Sequence, residues 1–120
     1  MLSVDLPPEP SSATRARTLA RQRLEASCSD ETLETVALLV TELVTNAILH
    51  ARTPLLLTME SSPDAVRISV EDRSREEPAL QRYDADAVTG RGLALVDELA
   101  SSWGVDTTPW GKIVWCEVSI

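Results

Sequence analysis

The chain of 120 residues contains no phenylalanine, one tyrosine, one histidine and two cysteines. So few flat rings leave no stacking platform of the kind that binds single-stranded nucleic acid. The three tryptophans, Trp103, Trp110 and Trp115, read as packing residues or surface anchors. Cys28 and Cys116 stand outside any metal-ligand spacing, which excludes zinc and iron–sulfur sites, and two unpaired thiols fit a reducing compartment. No apolar run approaches the roughly 18 to 20 residues that a membrane-spanning helix needs. The opening MLSVDLPPEP has neither the basic region nor the apolar stretch of a secretory signal. The expected location is therefore cytoplasmic, away from a membrane. Positive charge is also scarce: 11 basic residues against 19 acidic ones give a net charge of -8, a surface that repels phosphate backbones. Direct nucleic-acid binding is disfavoured. Arg15, Arg17, Arg21 and Arg23 spread around a helix and read as a solvated face.

What is present suits a single domain over 1–120, long enough to bury a core. Residues 2–6 alternate as an edge strand would, and Pro7, Pro8 and Pro10 end it. Ser11 and Ser12 are cap candidates for a helix over roughly 13–27, with Ala16, Leu19, Ala20 and Leu24 as its apolar stripe. A second helix is expected over roughly 30–51, capped by Ser29, with Asp30, Glu31 and Glu34 at the positive end of its dipole. It is apolar nearly all round, hence buried. Strands at 55–60 and 65–72, joined by Ser-Ser-Pro-Asp, form a hairpin. Residues 73–89 are polar and read as a long mobile loop. A third helix is expected over roughly 91–101, with Leu93, Val96 and Leu99 inward, then strands near 103–108 and 112–119. The sum is an α+β two-layer sandwich: a mostly antiparallel sheet covered on one face by about three helices.

Three features carry chemistry. Glu42 and Asn46 lie one turn apart on one helix face in apolar surroundings. A carboxylate and a carboxamide so placed can hold a hydrated divalent cation and orient or deprotonate an attacking group; alternatively both point to solvent or cap a neighbouring strand. His50, one more turn along the row, reads as a helix-end histidine rather than a catalytic one. Asp72 continues the inward face of Val66, Ile68 and Val70, so a carboxylate is aimed into the core, where it needs donors such as an adenine amino group; a turn-capping role is the plainer reading. Gly90-Arg91-Gly92 precedes a helix start, where backbone can approach a phosphate closely, or else forms a simple tight turn.

The ordered set ELVTNAILHA (42–51), VEDRSREEP (70–78), GRGLALVDELA (90–100) and WGVDTTPWGKIVW (103–115) resembles the ATPase domain shared by gyrase, the heat-shock chaperone, histidine kinases and MutL (GHKL, the Bergerat-type ATP-binding fold). More narrowly, it resembles the stand-alone anti-sigma-factor serine kinases, over nearly the whole chain from about residue 11. The resemblance implies ATP and Mg²⁺ as cofactors, with Asn46 on the metal and Glu42 as general base. Asp72 would meet the adenine amino group. Gly90, Arg91, Gly92 and Leu93 would lie at the nucleotide, with 73–89 as the ATP lid. It also implies phosphoryl transfer to a serine of a small anti-anti-sigma (STAS-type) protein, a sigma factor as second partner, and a homodimer. Ser74 stands where the family commonly has glycine. Lys112 stands where the wider superfamily often has threonine, and reads as a surface residue or one approaching the loop.

Other readings are a non-catalytic ATP-binding switch that only binds protein partners, and the catalytic half of a histidine kinase. The latter needs a dimerisation helix with a phospho-accepting histidine, and the residues before 30 do not read as one. A ligand-free adaptor would leave Glu42, Asn46 and Asp72 as separately satisfied polar groups.

Overall fold

The computed structural model describes residues 1–73 and 87–120, the side chains of 87–92 excepted. The elements run β1 (Leu2–Leu6), α1 (Pro10–Leu24), α2 (Asp30–His50), β2 (Leu55–Ser61), β3 (Ala65–Asp72), α3 (Ala87–Leu99), β4 (Ser102–Thr108) and β5 (Gly111–Ser119). The strands form one antiparallel sheet in the order β1-β2-β3-β5-β4. This is the expected α+β sandwich, with β1 at an edge as its short alternating sequence implied.

Period-two alternation decides which face is covered. On β3, Val66, Ile68, Val70 and Asp72 are buried while Arg67, Ser69 and Glu71 are half-exposed. The same face continues through Leu55, Leu57 and Met59 of β2 and Lys112, Val114, Cys116 and Val118 of β5. Against it lies α2, which also packs on α1 and α3. The α2 residues Val36, Leu39, Val40, Leu43 and Val44 are all buried, and each such side chain contributes about 1.5–3 kcal/mol of transfer free energy. The N-terminus of α2 is capped as expected: Thr32 N–H donates to Ser29 Oγ at 3.2 Å, and Asp30 and Glu31 occupy the first turn.

Three expectations need correction. By length and composition α2 is apolar enough to cross a membrane, because its charges gather in the first turns and leave only Glu42 in the middle. A buried core helix meets the same test, and α2 spends its apolar faces on the sheet and on its helical neighbours. Helix α1 starts at Pro10, not near 13, and neither Ser11 nor Ser12 caps it. Proline suits a first helical position because its missing N–H would lack a partner there anyway. Ser12 is buried, and its hydroxyl donates to Pro7 O at 2.6 Å. Helix α3 begins at Ala87, so Gly90-Arg91-Gly92 lies within its first turns rather than in a turn ahead of it. An interior glycine costs about 1 kcal/mol relative to alanine, too little to stop a helix that buries Leu93 and Val96.

Candidate functional site

Chain geometry brings Asn46 and Asp72 toward one end of the sandwich. Helix α2 ends at His50, and Arg52 turns the chain in the left-handed region at φ 57° so that β2 can start at Leu55. Strand β2 runs antiparallel to β3, which sets Leu56 opposite Glu71, next to Asp72. The loop between α2 and β2 is tied to the end of β3 by Arg73 N–H donating to Thr53 Oγ1 at 3.0 Å. The C-terminal end of α2, which carries Asn46 one turn before the helix stops, therefore lies at the same end as Asp72. Asn46 is 6% exposed, and Glu42 one turn earlier is half-buried. An inward carboxamide and a partly open carboxylate on one helix face suit a ligand held against the core and a reacting group nearer solvent.

Asp72 points inward as the alternation predicts, and it has a partner that sequence reasoning missed. Its Oδ2 lies 2.7 Å from Nζ of Lys112, with the two side chains 1% and 5% exposed. Lys112 is therefore not a surface residue; the loop it was expected to approach lies outside the described residues over 74–86. The register sets Asp72 directly opposite Lys112, so both side chains leave the sheet on the helix-covered face. Gly111 makes this approach possible: a Cβ there would overlap the carbonyl oxygen of Asp72 and lie 2.9 Å from Arg73 Cα. The signal that could have revealed the pair is a lysine at an inward position of the apolar strand 112–118. Only the β3–β5 pairing says what it faces.

Leu93 of α3 is buried, and α3 packs on α2, so this predicted nucleotide residue belongs to the same helical layer. Asp97 of α3 accepts a hydrogen bond from Trp103 Nε1 at 2.8 Å, which fastens the helix to β4. The proposed lid, 73–89, lies outside the described residues over 74–86; 87–89 belong to α3. A small hollow among Leu2, Leu19, Gln22 and Arg23 sits between β1 and α1, elsewhere in the fold. Among the described residues no group of three His, Cys, Asp or Glu side chains could hold a metal. A magnesium ion needs no such cage, since it keeps several waters and takes substrate phosphates plus one or two protein oxygens. Asn46, with a carboxamide oxygen, is the residue here that could offer such a ligand. For the nucleotide, the buried Lys112 ammonium is ion-paired with Asp72 but makes no hydrogen bond among the described residues. Donor capacity left over in a buried place fits a ligand rich in acceptors.

An α+β sandwich with an inward carboxylate at the end of a central strand, below a helix bearing Glu and Asn one turn apart, defines a class of nucleotide-binding domain. Residues 6–117 match the profile of the histidine kinase-like ATPase domain, so the chain belongs to that family, the GHKL type of ATP-binding domain. Among solved structures it is similar to the histidine kinase domain of the blue-light-activated histidine kinase EL346 from Erythrobacter litoralis. The TM-score is 0.59 at 22% identity, over 94% of this chain. The chain spans 61% of that domain's length, and at this identity the likeness is one of fold. No curated protein matches the chain.

Proposed function

We propose that the chain binds ATP with Mg²⁺ at the Asn46–Asp72 end of the sandwich and is a protein serine kinase of the anti-sigma type. The observation that carries the reading is the buried carboxylate of Asp72, held at the end of β3 on the face covered by the Asn46 helix. Asp72 accepts a hydrogen bond from the adenine amino group. Asn46 offers its carboxamide oxygen to the metal. Gly90, Arg91 and Gly92 in the first turns of α3 carry little bulk apart from the arginine and let phosphates approach the positive end of the helix, which favours negative charge. Leu93 closes the apolar side, and residues 73–89 form the lid. Bound magnesium would neutralise charge on the phosphate oxygens. Glu42 takes the proton of a serine hydroxyl as its oxygen bonds to the γ-phosphorus. The bond from that phosphorus to the β-phosphate oxygen breaks, and ADP leaves. The family resemblance supports a serine of a STAS-type anti-anti-sigma protein as acceptor, a sigma factor as the sequestered partner, a homodimer and a cytoplasmic setting.

The test is transfer of labelled γ-phosphate to a STAS-type protein from the same organism, with wild type and Glu42→Ala. The expected result is transfer by wild type and its loss in the variant, with ATP affinity retained. ATP binding without transfer by wild type would replace the kinase with a nucleotide-dependent switch that only binds partners.

A further inference from the structure

Lys112 is the one buried cation among the described residues, in a strand whose other inward positions are Val114, Cys116 and Val118. Burying an ammonium costs several kcal/mol unless its donors are satisfied. It carries three N–H groups. Its Nζ is ion-paired with Asp72 Oδ2 at 2.7 Å, yet no hydrogen bond to the described residues satisfies those donors. The pairing register places donor and acceptor side by side on one rung, at the end of the sheet where the Asn46 helix terminates. A ligand complementary to that couple presents a donor next to an acceptor, in the same plane. The Watson–Crick edge of adenine does so: its N6 amino group donates and its adjacent N1 accepts.

We propose that Lys112 is a base-reading residue: it donates to N1 of adenine while Asp72 accepts from the N6 amino group, so the pair reads a 6-aminopurine as a unit. This rests on the reading of Asp72 as the adenine contact and adds a direct charged donor to it. The ion pair then serves two ends. Without nucleotide each charge has the other as counter-ion, and with nucleotide the pair supplies both halves of the recognition.

Calorimetric titration of the full chain with ATP, 7-deaza-ATP, 1-deaza-ATP and GTP tests it. The first analogue keeps N1 and the second lacks it. Wild type should bind 7-deaza-ATP within about twofold of ATP and 1-deaza-ATP about tenfold or more weakly, as expected for a lost hydrogen bond to a charged group. GTP should bind more weakly than ATP. Lys112→Met should bind ATP and 1-deaza-ATP equally, both weakly. The comparison on wild type stands even if that variant does not fold. Equal affinity of wild type for ATP and 1-deaza-ATP, tighter binding of GTP, or undiminished ATP binding by a folded Lys112→Met would each overturn the inference while leaving the nucleotide site intact. A folded wild type that binds neither ATP nor 7-deaza-ATP at millimolar concentration would overturn both the site and the inference.

Discussion

Strands β3 and β5 are bridged by two ion pairs, each between directly opposed residues, one on either face of the sheet. On the outer face Arg67 meets Glu117 at 2.8 Å, with the side chains 42% and 38% exposed, and the guanidinium also lies 4.2 Å from the centroid of the Trp115 ring. On the helix-covered face Asp72 meets Lys112 at 2.7 Å with almost no exposure. The chemistry is alike, but the energetics are not. The outer pair keeps much of its hydration, so it costs little to form and contributes little. The inner pair gave up its water, and an apolar pair of similar volume would serve the fold as well or better. A fold that needed only stability would have no use for the second arrangement. That contrast is what the proposed nucleotide contact at the inner rung would account for.

The largest expected effect breaks this contrast directly. Asp72→Ala removes the buried Lys112 ammonium's counter-charge and Lys112→Ala removes the cation paired with Asp72, and each should cost about 3–5 kcal/mol in urea denaturation. Arg67→Ala or Glu117→Ala should cost at most about 1 kcal/mol. Replacing both inner residues, as Asp72→Leu with Lys112→Met, should cost far less than the sum of the two single losses. Equal costs for inner and outer pairs would erase the distinction. Next in size is Gly111→Ala, whose methyl meets the Asp72 backbone. Overpacking of this kind costs about 1–3 kcal/mol and should weaken nucleotide binding too, because it moves the rung itself. Unaltered stability and affinity would show that the close approach is not needed.

The smallest effect concerns Cys116, two rungs along the inner face of β5 from Val114. Burial pushes its thiol up to about 12 from 9.0, and Cys28 is raised less deeply by the same cause. Between those values the unfolded chain releases the Cys116 proton while the folded chain keeps it. The thiol's stabilising contribution is therefore full below pH 9 and is lost as pH rises toward 12. Stability should fall across that window, and Cys116→Ala should flatten the fall. In native protein at pH 8, alkylation should reach Cys28 first, read by mass spectrometry of peptides. Prior modification of Cys116 would contradict its burial.

Much of the fold was legible because local periodicity carried it. Val66, Ile68, Val70 and Asp72 at spacing two fixed the inward face of β3, and Ser29 followed by Asp30 and Glu31 marked the start of α2. Starts set by weaker signals moved. Pro10 opens α1, whereas local sequence marks the prolines only as the end of a strand, and the glycines of 90–92 yield to the packing of Leu93 and Val96. Half of the candidate site was legible by the same logic, since Glu42 and Asn46 share a helix row and Asp72 ends an alternation. Lys112 was not, because a lysine in a strand is usually solvated. Its partner lies 40 residues away, and only the β3–β5 register brings the two together.

The proposed function places a nucleotide at the Asp72 end of the sandwich. Titration of the folded chain with ATP, with and without Mg²⁺, beside Asn46→Ala and Asp72→Asn, tests it most directly. Binding by wild type, a loss of about tenfold or more in a folded Asp72→Asn, and loss of the magnesium dependence in Asn46→Ala are expected. A folded wild type that takes up no ATP at millimolar concentration, or an Asp72→Asn variant that binds as well as wild type, would contradict it.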